Sequence, residues 1–163
     1  MAVQADAATL LSASGVVRLE IRLPASIDIE CVPSVLGAPE ARWLGERLPD
    51  DERGERRFAC DFELGVGTER RVAFRKSAIV SLGSLERTGS GWQLAIEWRA
   101  ASLAPLFPVF VGMLALEAGR VTLAGYYAPP FGDIGVALDR AALGLGARRV
   151  ARWFLRQVVV ACR

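Results

Sequence analysis

Histidine is absent from this chain of 163 residues. With it go the commonest metal ligand and the only side chain that titrates unperturbed near neutral pH. A zinc enzyme and a histidine-based triad are thereby excluded. Lysine is almost absent as well, since of 20 basic residues only Lys76 is not arginine. Cysteine is scarce: Cys31, Cys60 and Cys162 are odd in number, far apart and without metal-ligand spacing, which predicts reduced, buried thiols and no metal site. Long apolar runs are missing too. The longest, Leu103 to Leu116, contains Pro105 and Pro108 and falls short of the ~20 residues a membrane-spanning helix needs, so no integral membrane association is expected. The first fifteen residues carry Asp6 and no basic leader, which predicts a cytoplasmic protein with a frayed tail over residues 1–14. No phosphate-loop string occurs, and neither Gly65-Val66-Gly67 nor Gly89-Ser90-Gly91 precedes a helix, so nucleotide binding and any other cofactor lack support.

What is present is apolar: 52% of the residues are hydrophobic and 23% charged, with a net charge of +2. A single domain over residues 1–163 is expected, burying roughly 69% of the surface of its extended chain. Val17, Leu19, Ile21 and Leu23 alternate with Arg18, Glu20 and Arg22, the period of a half-buried strand ended by Pro24. Between Ile27 and Pro49 the prolines at 33 and 39 and the spacing of Trp43, Leu44, Arg47 and Leu48 predict one or two short helices. The charged stretch Leu48 to Arg57 reads as a solvated loop.

Alternation then resumes. Phe58, Cys60, Phe62 and Leu64 form one apolar face, and Trp92, Leu94, Ile96 and Trp98 another, opposite Gln93, Glu97 and Arg99. Residues 70 to 86 form one long bent strand with a bulge at Gly83, or two strands. Val109 to Glu117, Ala118-Gly119 and Arg120 to Ala128 make a hairpin, and Pro129 and Pro130 stop the sheet. Beyond Phe131 the period becomes helical through Ile134, Leu138, Ala141, Leu145, Trp153, Leu155 and Val158. One long helix is expected, bent at Gly144 and Gly146 or straight. The fold class is α+β: a curved antiparallel sheet of about six or seven strands around a long C-terminal helix, with the short helices after the first strand.

The segment from Leu106 to Leu114, the string Leu123-Ala124-Gly125-Tyr126-Tyr127-Ala128-Pro129-Pro130-Phe131-Gly132, and Asp139-Arg140 resemble bacterial members of the START-like (SRPBCC) superfamily. That superfamily includes birch-pollen allergen proteins, polyketide cyclases and coenzyme-Q-binding proteins. The resemblance covers about a third of the chain and implies a helix-grip fold around an apolar cavity, hence a hydrophobic-ligand module. Its enzymatic branches work through polar side chains inside the cavity. With no histidine here, such chemistry would fall to Asp, Glu, Tyr, Cys or Arg.

The residues expected to line the cavity are Phe58, Phe62, Phe74, Trp92, Trp98, Leu114, Leu123, Tyr127, Leu138 and Trp153, against the plain alternative of core packing. Tyr126 and Tyr127 must point to opposite faces, and continuity with Val121 and Leu123 turns Tyr127 inward. Glu97 and Arg99 belong to the outer sheet surface. Arg148, Arg152 and Arg156, with Arg149 beside them, form the solvent side of the last helix rather than a nucleic-acid footprint. The expected function is non-catalytic binding or carriage of a lipid-like or polyaromatic small molecule, with no catalytic residue assigned. Two alternatives stay open: a cyclase, aromatase or hydrolase using the same cavity, and an interaction subunit that docks a partner or a second copy as a homodimer.

Overall fold

Alternating apolar residues fold into strands where their spacing demands it. The computed structural model describes residues 16–52, 54–65, 73–101, 109–128 and 144–163. Seven strands form one antiparallel sheet: β1 Val17–Pro24, β2 Glu46–Leu48, β3 Arg56–Gly65, β4 Ala73–Arg87, β5 Gly91–Ala100, β6 Val109–Glu117 and β7 Arg120–Ala128. Their order is β1-β7-β6-β5-β4-β3-β2. Strands β3 to β7 run as a meander, while β1 returns to pair with β7 at the far edge. Two helices complete the described fold, α1 Val32–Leu36 and α2 Gly144–Ala161. This is the helix-grip α+β arrangement, with the terminal helix laid on one face of an open sheet.

Residues 73 to 87 form one strand, and the register slips between Leu82 and Leu85. The extra residue of this bulge lets Leu82 and Leu85 both pair with inward residues of β5, Ile96 and Leu94. On α2 the buried residues Ala147, Val150, Ala151, Phe154, Leu155, Val158 and Val159 fall on one face, continued by Cys162 just past its end, and mark the side against the sheet. Arg148, Arg152 and Arg156 are exposed on the other side. The helix packs against β3 near one edge of the sheet and against β1 and β7 at the other, so it bridges the strands between them. No described helix is long and apolar enough to cross a membrane.

Three local expectations need correction. The stretch 48–57 is not merely a solvated loop. Arg56 opens β3, pairs with the buried Leu82, and donates through Nη1 to the carbonyls of Leu36 (2.6 Å) and Ala38 (2.8 Å) and through Nη2 to Gly83 (3.3 Å). Burial, then the nearby Arg47 charge, presses its pKa down, yet an arginine stays cationic and keeps all three bonds. Arg47 and Leu48 are likewise strand, not helix: a ladder to Phe58 and Arg57 outcompetes the helical spacing read from the sequence. Finally, Cys31 is exposed, because it precedes α1 on the surface, where its thiol donates to Asp28. Residues 1–14, and the residues preceding Gly144 in the expected long helix, lie outside the described set.

The β1 to β2 connection must travel from one edge of the sheet to the other. Along the way Asp28 N–H donates to the Cys162 carbonyl (2.9 Å) and Ile29 accepts from Trp92 Nε1 (3.1 Å), while Val32 and Leu36 are fully buried. These contacts close the end of the sheet–helix interface where α2 finishes.

Candidate functional site

The inward side chains fall into cross-sheet rows because paired residues share a face. One row runs Phe58, Val80, Trp98, Phe110, Tyr127, Val17 across β3, β4, β5, β6, β7 and β1. It stands close to the ends of β5 and β7 and the start of β6, and its three central aromatic positions are adjacent strand to strand. The next row runs Arg56, Leu82, Ile96, Gly112, Gly125, Leu19. Behind it stand Leu85, Leu94, Leu114, Leu123 and Ile21, and last come Trp92, Leu116, Val121 and Leu23.

The paired glycines give the aromatic row its shape. A Cβ built on Gly112 or Gly125 would meet Phe110 Cζ at 2.6 and 2.8 Å, so the Phe110 ring lies down over a floor without side chains. Trp98 stacks on Phe110 with centroids 4.2 Å apart and planes at 19°. Phe154 of α2 and Phe62 of β3 each tilt against Trp98 at 5.9 Å. Trp153 meets Phe62 edge-on at 5.0 Å, and Trp43 meets Phe154 at 6.1 Å. Offset and tilted pairs of this kind add about 0.5–1.5 kcal/mol each beyond their buried area. At the β2 edge, the Arg47 guanidinium sits 5.3 Å from the Phe58 centroid, held by the Leu48 and Arg57 carbonyls and by Asp50.

The polar inventory of this face is short. Trp98 is 1% exposed and its Nε1–H has no hydrogen-bond partner among the described residues. Leaving such a donor buried costs about 1–3 kcal/mol. Tyr127 is buried, whereas Tyr126 is 49% exposed on the outer face. The Cys60 thiol, donating to the Ala78 carbonyl at 3.7 Å, is pushed up to about 12 by burial, and burial likewise pushes Cys162 up to about 11. Both are neutral at physiological pH and poor nucleophiles. Among the described residues no group of three or more His, Cys, Asp or Glu is arranged to hold a metal. On the outer face, Ser81, Ala95, Glu97 and Val111 surround a dimple of about 10 Å³, room for about one water.

The thiol shift has a measurable consequence. Above its ordinary value of 9.0 the unfolded chain releases the Cys60 proton while the folded chain keeps it up to about 12. The folded state therefore binds more protons in that window, and its stability falls as pH rises, by about 1.4 kcal/mol per pH unit from this group. The stability gap between wild type and Cys60→Ala, followed by urea unfolding from pH 8 to 10.5, should narrow with pH. A constant gap would contradict the burial of the thiol.

Of the expected cavity residues, the structure gathers Phe58, Phe62, Trp98, Tyr127 and Trp153 around the aromatic row. Leu114 and Leu123 stand two rows behind it, fully buried. Trp92 lies six residues from Trp98 along β5, about 20 Å away, tied to Ile29 and covered by the Arg87 guanidinium at 5.2 Å. Phe74 belongs to β4, opposite Leu64, but its side chain lies outside the described residues, as does Leu138. Sequence reasoning missed Phe110, Phe154 and Trp43. Phe154 carried a signal, since 147, 151, 154 and 158 keep one helical line. Phe110 shared by alternation the inward face of the expected Leu114, but only the β5–β6 register set it beside Trp98.

No family model matches the chain, and no curated protein matches it. Among solved structures it is similar to DynU16, a protein in the dynemicin biosynthetic locus, with 18% identity and a TM-score of 0.37 over 92% of this chain and 50% of that one. The chain thus spans half the length of that neighbour. Strand order, the bridging helix and the inward rows identify the chain as a helix-grip α+β protein.

Proposed function

We propose that this chain is a START-like module that holds a lipid-like or polyaromatic small molecule between sheet and terminal helix, carrying it without transforming it. The observation that supports this reading is the aromatic row: Trp98, Phe110 and Tyr127 stand on adjacent strands beneath a helix that packs toward both sheet edges. Burying about 300 Å² of apolar guest surface there would contribute about 7 kcal/mol before the costs of association. A proton-moving reaction would ask for an inward group poised near neutrality, and the two inward thiols are shifted away from it. We take its setting to be cytoplasmic, in keeping with unpaired cysteines.

The test is titration with N-phenyl-1-naphthylamine, an uncharged apolar fluorophore that accepts energy from tryptophan. Saturable quenching of tryptophan emission at a one-to-one ratio, weakened in Trp153→Ala, is expected. Absence of a saturable change would overturn the reading.

A further inference from the structure

We propose that the guest carries a neutral carbonyl oxygen, as in a ketone, ester or quinone, and that Trp98 Nε1–H donates a hydrogen bond to it. This rests on the binding role proposed above and names the chemistry of its ligand. The tryptophans of the interior differ in how their indole N–H groups are satisfied. Trp43 and Trp92 are only partly buried, and each indole N–H reaches a backbone carbonyl, Val35 at 3.4 Å and Ile29 at 3.1 Å. Trp98 is more deeply buried than either, yet its N–H reaches no acceptor among the described residues.

Neighbouring rings do not supply the missing acceptor. An indole N–H lies in the plane of its own ring, and Phe110 is stacked nearly parallel to that plane at 4.2 Å, so it sits beside the bond direction rather than along it. Phe62 and Phe154 are tilted at 5.9 Å, and a contact with an aromatic face is a weak substitute for a carbonyl. A phenylalanine at position 98 would fill an apolar interior without a stranded donor, so the indole fits a site whose acceptor arrives with the guest. The acceptor is uncharged. A buried carboxylate needs a cation, and the nearest arginine along this row, Arg47, is already committed to Phe58, two carbonyls and Asp50.

The probes are 9-fluorenone and fluorene, which share a ring frame and differ in one carbonyl. Binding to the full chain is measured by calorimetry, and the indole N–H signals are followed by ¹⁵N-edited NMR. The affinity ratio of fluorenone to fluorene should fall about tenfold from wild type to Trp98→Phe, one hydrogen bond's worth. Fluorenone, but not fluorene, should move the Trp98 indole signal downfield in the wild-type protein. Should Trp98→Phe fail to fold, the wild-type signal decides alone. If both probes bind with an unchanged ratio and that signal responds alike to each, the carbonyl assignment is overturned while the binding role stands. If neither probe binds, the binding role falls and the assignment with it.

Discussion

Replacing Gly125 by alanine is expected to lower the free energy of unfolding by about 3 kcal/mol, at the upper end of overpacking costs. The added methyl would stand 2.3 Å from the Val111 carbonyl oxygen, 2.6 Å from Gly112 Cα and 2.8 Å from Phe110 Cζ. Two of those three atoms are backbone and cannot turn aside, so β6 and β7 must separate and Phe110 must shift on its floor. Because Trp98 stacks on Phe110, the disturbance passes to the centre of the aromatic row. Phe110→Ala, itself costly because the ring is fully buried, should make the further penalty of Gly125→Ala smaller than in wild type, since it removes the side-chain clash but not the backbone ones. Gly119→Ala in the β6–β7 turn, where nothing lies within 4 Å, is the control and should change stability by less than about 0.5 kcal/mol. Urea unfolding curves that place Gly125→Ala beside Gly119→Ala would show that the glycine floor carries no packing.

Phe154→Ala should destabilise by about 3–5 kcal/mol, the usual range for emptying a phenylalanine site in a core. Phe154 is fully buried and is the ring of α2 that touches both Trp98 and Trp43, one on the sheet and one in the β1 to β2 connection. Its loss leaves α2 seated by its smaller residues, so binding of an apolar probe beneath the helix should weaken together with stability. Val160→Ala on the same helix, at 67% exposure, should cost less than about 0.5 kcal/mol. Equal effects from the two substitutions would mean that α2 does not meet the sheet through Phe154.

Strands and the closing helix were legible because each has one buried face: the period of two in Val17 to Leu23 and Trp92 to Trp98 gives both the element and its inward side. The same logic turned Tyr127 inward and Tyr126 outward. Even the bulge could be anticipated at Gly83, though the choice between one strand and two needed the pairing to β5. Between Ile27 and Arg57 the short helix at Val32–Leu36 was legible from its proline, whereas Arg47, Leu48 and Arg56 were misread. The carbonyls that hold Arg56 come from residues 36, 38 and 83, and such long-range acceptors leave no periodic trace in a charged segment. The site was half legible for a related reason. Alternation tells which side chains share a face, but only register tells which share a row, and register joined Trp98 to Phe110 while separating both from Trp92.

A guest held against that row should survive gentle purification. Native mass spectrometry of the protein isolated from its own host is predicted to show, besides the 17.6 kDa chain, a species heavier by one small apolar molecule, released on transfer to organic solvent and displaced by N-phenyl-1-naphthylamine. A bare chain in every preparation, together with an interior that admits no probe, would contradict the binding role.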